Sequence, residues 1–135
     1  YGNTTMYADA DSEPTPAKSV LIAEDNADLR NLFSTVFRRR GYAVQTAQDG
    51  RQALTLLETL SLPDVLVLDV NMPFVSGLDL LQTVRASETM KHVQVILVSG
   101  NTMVEHVPEA ALADLMLIKP VSPHDLVTLA DRLII

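Results

Sequence analysis

The sequence predicts a doubly wound α/β fold, in which helices cover both faces of a parallel β-sheet. From Lys18 onward, short apolar runs alternate along the chain with segments that have the apolar spacing of helices. Strands that alternate with helices are joined by right-handed crossovers, so they form a parallel sheet between two helical layers. The chain has 135 residues, of which 47% are hydrophobic, and this is enough for one domain with a substantial core.

Five strands are predicted from the apolar pattern. Continuous runs such as Val20–Ala23 and Val65–Leu68 are typical of strands that are covered on both faces. Val95–Val98 and Leu115–Ile118 are two further runs of this kind. Residues 43–46 (AVQT) instead combine apolar with polar side chains, which indicates an exposed edge strand.

Helices are predicted wherever apolar residues recur at intervals of three and four. Four such stripes run from Leu29 to Phe37, from Ala53 to Leu60, from Leu78 to Val84 and from Leu126 to Leu133. Ser122, Pro123 and Asp125 give the last helix an N-cap, a proline at its first position and an acidic residue in its first turn. The segment 102–113 predicts a poor helix, because Pro108 lies inside it.

Composition and charge exclude several classes of protein. Seventeen acidic and ten basic residues give a net charge of −7, which disfavours nucleic-acid binding by this domain. The chain has no cysteine, which excludes disulfides, thiolate metal sites and a cysteine nucleophile. No apolar run approaches the roughly 18 residues of a transmembrane helix, so membrane insertion is not expected.

Residues 1–17 differ in composition from the rest of the chain. They contain three acidic residues and two prolines but no apolar period, which predicts a flexible tail or linker. They contain no basic residue and no apolar block, so we expect no secretory signal and a cytoplasmic location. Residues 18–135 form the predicted domain.

Polar side chains follow four of the predicted strands. Glu24 and Asp25 come after the first strand, Asp69 after the third, Ser99 after the fourth and Lys119 after the fifth. The carboxyl ends of parallel strands meet at one edge of a sheet, where ligands bind in folds of this kind. We therefore expect these side chains to share one small site.

The charges of this site indicate which ligand it takes. Three carboxylates within about 4 Å of one another repel by several kcal/mol near a protein surface, so a positive charge must offset them. Oxygen ligands alone suit Mg²⁺ better than zinc. A lysine beside the metal suits a phosphoryl group.

Over residues 18–135 the sequence resembles the receiver domain of two-component response regulators. The motifs that carry the resemblance are residues 21–26 (LIAEDN), 67–73 (VLDVNMP) followed by Gly77, 98–100 (VSG) and Lys119-Pro120. The resemblance implies a flavodoxin-like sheet with strand order 2-1-3-4-5. It also implies a partner, a histidine kinase or histidine phosphotransfer protein, and a downstream protein target.

The resemblance assigns roles to the acidic residues. Asp69 would be the phosphoacceptor, attacking the phosphorus of a phosphohistidine. Asp25 would bind Mg²⁺ directly, Glu24 largely through a coordinated water, and Asp69 and the backbone carbonyl of Asn71 would complete the protein ligands. Glu24 stands where the family often has Asp, which lengthens the reach to the metal.

The resemblance also describes a switch. Lys119 would pair with a phosphoryl oxygen, the Ser99 hydroxyl would bond another, and the Lys119-Pro120 peptide would be cis. Met116 stands where the family usually carries Tyr or Phe, and a methionine cannot reproduce a two-position aromatic switch. We therefore expect chemistry at Asp69 to be retained and the output switch to be altered, with Pro108 shortening or breaking the fourth helix.

Two alternatives are open on the sequence alone. A phosphatase of the haloacid dehalogenase type would also place an aspartate, a lysine and Mg²⁺ at a sheet edge, but it requires a second Asp where this chain has Asn71. A degenerate receiver would serve only as a binding surface. As a receiver the domain would be a signalling module rather than an enzyme, and we expect it to come from a larger protein such as a hybrid histidine kinase.

Overall fold

A computed structural model describes residues 17–59 and 61–134. Five strands form one parallel sheet in the order β2-β1-β3-β4-β5, which confirms the predicted fold. The strands are β1 (Ser19–Ala23), β2 (Ala43–Ala47), β3 (Val65–Asp69), β4 (Gln94–Ser99) and β5 (Leu115–Ile118). The predicted tail, apart from Ala17, and the predicted contact of Leu60 lie outside the described residues.

Four α-helices and two 3₁₀-helices connect and cover the strands. They are α1 (Ala27–Arg39), α2 (Gly50–Thr59), α3 (Gly77–Ala86), α4 (Pro123–Leu133), and the 3₁₀-helices η1 (Thr102–His106) and η2 (Pro108–Leu112). Helix α4 begins as predicted, with the Ser122 hydroxyl accepting from the Asp125 N–H at 3.3 Å. None of the helices in the described part of the chain is long and apolar enough to cross a membrane.

The helical segment between β4 and β5 is interrupted just before Pro108, as the sequence predicts. Val107 has extended backbone angles (φ −81°, ψ 126°) and separates η1 from η2. Proline disfavours a helical conformation of the preceding residue and offers no N–H of its own, so Pro108 favours the start of a new helical segment over the continuation of η1.

The core has two layers, one on each face of the sheet. Leu21, Leu66 and Leu97 point to the layer under α2 and α3, whereas Ile22 and Val67 point to the layer under α1 and α4. Strands β1, β3 and β4 are therefore apolar at successive positions, as expected when both faces are covered. The side chains of β2 and β5 are more exposed, because these strands form the two edges of the sheet.

Gly77 allows the start of α3 to lie directly against the end of β3. Its N–H donates to the Val70 carbonyl at 2.9 Å. A Cβ atom at this position would lie 2.2 Å from the backbone oxygen of Asp69, far inside van der Waals contact. Any larger residue would therefore displace the backbone that carries Asp69.

We expect Gly77→Ala to lower the free energy of unfolding by about 2–3 kcal/mol, because the added methyl group has backbone atoms as its neighbours. Gly100→Ala is the matched control, since a methyl group added there would point into open space, with nothing within 4 Å. Urea denaturation of both variants tests this expectation. Equal stabilities of the two variants would contradict it.

Candidate phosphoryl-transfer site

The strand register places two acidic residues side by side, and a third lies next to them. Ala23 of β1 is paired with Leu68 of β3, so the next residue on each strand, Glu24 and Asp69, lies at the same sheet edge. Asp25 completes the cluster, in which one carboxylate oxygen from each residue lies within 4.8 Å of the others. Glu24 is 2% exposed and Asp69 is 3% exposed, so two of the three carboxylates are almost withdrawn from solvent.

Lys119 lies against this cluster, as the sequence predicts. Its Nζ atom is 3.2 Å from Glu24 Oε1 and 3.3 Å from Asp69 Oδ2. Partial burial alone would lower the pKa of the Lys119 ammonium, but the charges of Asp69 and Glu24 outweigh this effect and raise that pKa. The backbone of Lys119 is bonded to the end of β4, because the Lys119 N–H donates to the Ser99 carbonyl at 2.8 Å. The Lys119-Pro120 peptide is cis, as predicted.

The ionised form of the Glu24 carboxyl is destabilised by its surroundings. Burial raises the pKa of its carboxyl to about 7, and the neighbouring Asp69 adds to the increase. Two contacts oppose it, namely the N–H of Asn26, which donates to Glu24 Oε2 at 3.1 Å, and the charge of Lys119. One ammonium therefore does not fully compensate the acidic residues around it.

Asp69 is held by contacts to both of its oxygens. Oδ1 accepts from the N–H of Asn71 at 3.2 Å, and Oδ2 faces Lys119. Asn71 itself is exposed in the loop that follows β3. The predicted use of its backbone carbonyl as a metal ligand stays a prediction.

Ser99 and Met116 occupy the positions that the resemblance assigns to the switch. Ser99 is fully buried, and its hydroxyl donates to the Asn101 carbonyl at 3.2 Å and accepts from the Asn101 N–H at 3.0 Å. Met116 is half-buried in β5, opposite Leu97, and packs against the core layer that also contains Val104 of η1. The methionine side chain thus already packs against the core on this face of the sheet.

Two features near the site do not follow from the sequence analysis. Arg30 of α1 reaches back to the loop after β1, where its Nη1 atom donates to the Glu24 carbonyl at 2.8 Å. Phe74 adopts a left-handed backbone conformation (φ 70°), and its ring, 3.9 Å from the Arg51 guanidinium, is largely exposed. An arginine six residues after an acidic loop is a signal that could identify the first feature, but no sequence signal marks the second.

The donor set fits a hard divalent cation. All three acidic groups offer oxygen, the preferred ligand atom of Mg²⁺. Two of them are buried beside a single ammonium, so added positive charge would relieve their repulsion. Asp25 is exposed, which leaves the site open towards solvent.

We expect Glu24→Gln to raise the free energy of unfolding of the metal-free protein by about 1 kcal/mol at neutral pH, because the amide removes a buried charge beside Asp69. Lys119 keeps Asp69 as a partner in this variant. Asp25→Asn is the control, and it should change stability less, because Asp25 is exposed. Urea denaturation in EDTA measures both, and a loss of stability in Glu24→Gln would show that the Lys119 pair outweighs the repulsion.

Comparison with known proteins gives a consistent result. Residues 20–131 match the family model of the response regulator receiver domain. The chain is 33% identical over 124 residues to the two-component response regulator ORR3 of Oryza sativa subsp. indica, covering 90% of this chain and 94% of that protein. It is 37% identical over 95 residues to the chemotaxis protein CheY of Pseudomonas aeruginosa, covering 70% of this chain and 76% of that protein.

Solved structures share the fold as well. The chemotaxis response regulator CheY4 of Vibrio cholerae superposes with a TM-score of 0.79 at 31% identity, covering 87% of this chain and 99% of that one. A response regulator receiver protein from Pseudomonas putida superposes with a TM-score of 0.80 at 30% identity, covering 88% and 99%. The chain therefore belongs to the receiver domains of two-component response regulators.

Proposed function

We propose that this receiver domain accepts a phosphoryl group on Asp69 from a phosphohistidine in a Mg²⁺-dependent reaction. The observation that carries the proposal is a buried carboxylate, Asp69, that lies between the ammonium of Lys119 and two further acidic side chains. Phosphoryl transfer depends mainly on positioning and on neutralising charge, and this arrangement serves both requirements. The donor would be a histidine kinase or a histidine phosphotransfer protein.

The carboxylates of Glu24, Asp25 and Asp69 and the backbone carbonyl of Asn71 would hold the Mg²⁺ ion. When bound, the cation neutralises charge on the oxygens of the phosphoryl group. A crystal structure of the response regulator TrrA of Thermotoga maritima, in complex with Mg²⁺–BeF, supports this role, because it superposes on this chain with a TM-score of 0.78 at 25% identity.

The chemical step would join Asp69 of this site to the phosphoryl group of the donor's phosphohistidine. A carboxylate oxygen of Asp69 attacks the phosphorus, the bond between phosphorus and the imidazole nitrogen breaks, and its electron pair stays on the nitrogen. Lys119 would then contact a phosphoryl oxygen, and the Ser99 hydroxyl would leave Asn101 for another. The acquired phosphoryl group carries about 1.5–2 negative charges in place of the single charge of the carboxylate, which is sufficient to reorganise the adjacent loop.

In this proposal the domain is a signalling module and not a turnover enzyme. It would carry one aspartyl phosphate, lose it by hydrolysis, and pass the conformational change to a downstream protein target. The net charge of −7 favours a protein target over a nucleic acid. Its place of action would be the cytoplasm.

We expect incubation with acetyl phosphate and Mg²⁺ to add one phosphoryl group, detected by intact-mass spectrometry. The modification should disappear in Asp69→Asn and in EDTA, and it should persist in Asp79→Asn, a control on the surface of α3. Absence of any mass increase would support the degenerate receiver. Continuous release of phosphate from small phosphate esters would support the phosphatase.

We expect Met116 to move little when the site is filled, because its side chain already packs against the core layer under α2 and α3. The methyl signal of Met116, followed by NMR during titration with Mg²⁺ and beryllofluoride, measures this movement. The amides of Ser99, Gly100 and Asn101 should shift, whereas the Met116 methyl signal should stay close to its starting position. A shift of the Met116 methyl as large as those of the loop amides would contradict an altered switch.

A further inference from the structure

We propose that Arg30 is a positioning residue that holds the loop of Glu24 and Asp25 in the conformation that binds Mg²⁺. This inference rests on the proposed function, since it concerns the same cation site. Arg30 contributes no ligand atom, and its contacts are to the backbone of the two acidic residues. Its effect on the cation would therefore pass through the loop.

The guanidinium ties the loop to helix α1. Arg30 Nη1 donates to the Glu24 carbonyl at 2.8 Å and approaches the Asp25 carbonyl at 3.4 Å. The preceding peptide group is fixed to the sheet, because the Glu24 N–H donates to the Ala47 carbonyl at 3.0 Å. The backbone of Glu24 is thus held from the sheet and from the helix at once.

Asp25 depends on this restraint more than Glu24 does. The Glu24 carboxylate is buried and has Lys119 and the Asn26 N–H as partners. The Asp25 carboxylate is exposed, so its direction is set mainly by its own backbone, and Arg30 restrains that backbone through the carbonyl. Losing the guanidinium should therefore allow Asp25 to turn away from the cluster.

The charge of Arg30 acts in the opposite direction to its hydrogen bonds. A guanidinium beside the site repels a cation, so removing its charge would by itself tighten Mg²⁺ binding. Loss of positioning weakens binding. Substitution of a residue that orients metal ligands through hydrogen bonds typically lowers metal affinity by about 10–100-fold. The sign of the change in affinity therefore separates positioning from a simple charge effect.

Mg²⁺ titrations followed by ¹H–¹⁵N NMR test the proposal on the whole chain. For Arg30→Gln we expect the dissociation constant of Mg²⁺ to rise by about 10-fold or more. Arg30→Lys keeps the charge but loses the planar group, and it should give a smaller increase. Arg39→Gln is the control, because it removes the same charge from an exposed position at the other end of α1 and should leave the affinity unchanged.

A second measurement needs no metal. The Asn26 N–H donates to Glu24 Oε2, so its solvent exchange reports on the order of the loop. We expect this exchange to be faster in metal-free Arg30→Gln and unchanged in Arg39→Gln. If Arg30→Gln fails to fold, as judged by circular dichroism, Arg30→Lys replaces it in the experiment. The dissociation constant of Mg²⁺ for Arg30→Lys must then exceed that for the wild type.

Unchanged or tighter Mg²⁺ binding in Arg30→Gln would overturn the role of Arg30 and leave the proposed function intact. Weaker binding with unchanged Asn26 exchange would also overturn it, because the loop would not have been loosened. Failure of the wild-type protein to bind Mg²⁺ would overturn the proposed cation site itself, and with it the role of Arg30.

Discussion

The crowding of Glu24, Asp25 and Asp69 around one ammonium is the constraint on which the rest of the site depends. Burial of two of these carboxylates is unfavourable, as the raised pKa of Glu24 indicates, and the contacts of Lys119 to Glu24 and Asp69 offset only part of the cost. Such an arrangement contributes little to the stability of the fold. It provides a place where added positive charge is strongly favoured, which is what a phosphoryl-accepting site requires.

The sheet topology explains how residues so far apart in sequence reach one point. Strand order reverses between β1 and β3, which are neighbours, so the residues that follow them meet above the same crevice. Lys119 reaches the crevice from the edge strand β5, across β4. The start of α3 also lies very close to the end of β3, since Gly77 lets this helix begin against the backbone of Asp69 itself.

A feature of the fold or the site can be predicted from the sequence when it depends on apolar periodicity or on neighbouring residues. Apolar periodicity reports burial, so it predicts the strands, the two helical layers and the convergence of the acidic residues at one edge. Pro108 acts on its own neighbours, so the break between η1 and η2 is predictable as well. The reach of Arg30 to the Glu24 carbonyl and the left-handed backbone of Phe74 depend on side-chain and loop conformations that periodicity does not describe.

The segment between β4 and β5 is held differently at its two ends. At the near end, Asn101 is bonded to the Ser99 hydroxyl and caps η1 by accepting from the Met103 N–H. At the far end, Arg85 of α3 donates to the Leu112 carbonyl at 2.8 Å and pairs with Asp114. A Ser99 hydroxyl that turns towards a phosphoryl group would release the near end while Arg85 retains the far end. The break at Pro108 separates the two, so the response would be concentrated in η1, the part of this face that lies closest to the modified aspartate.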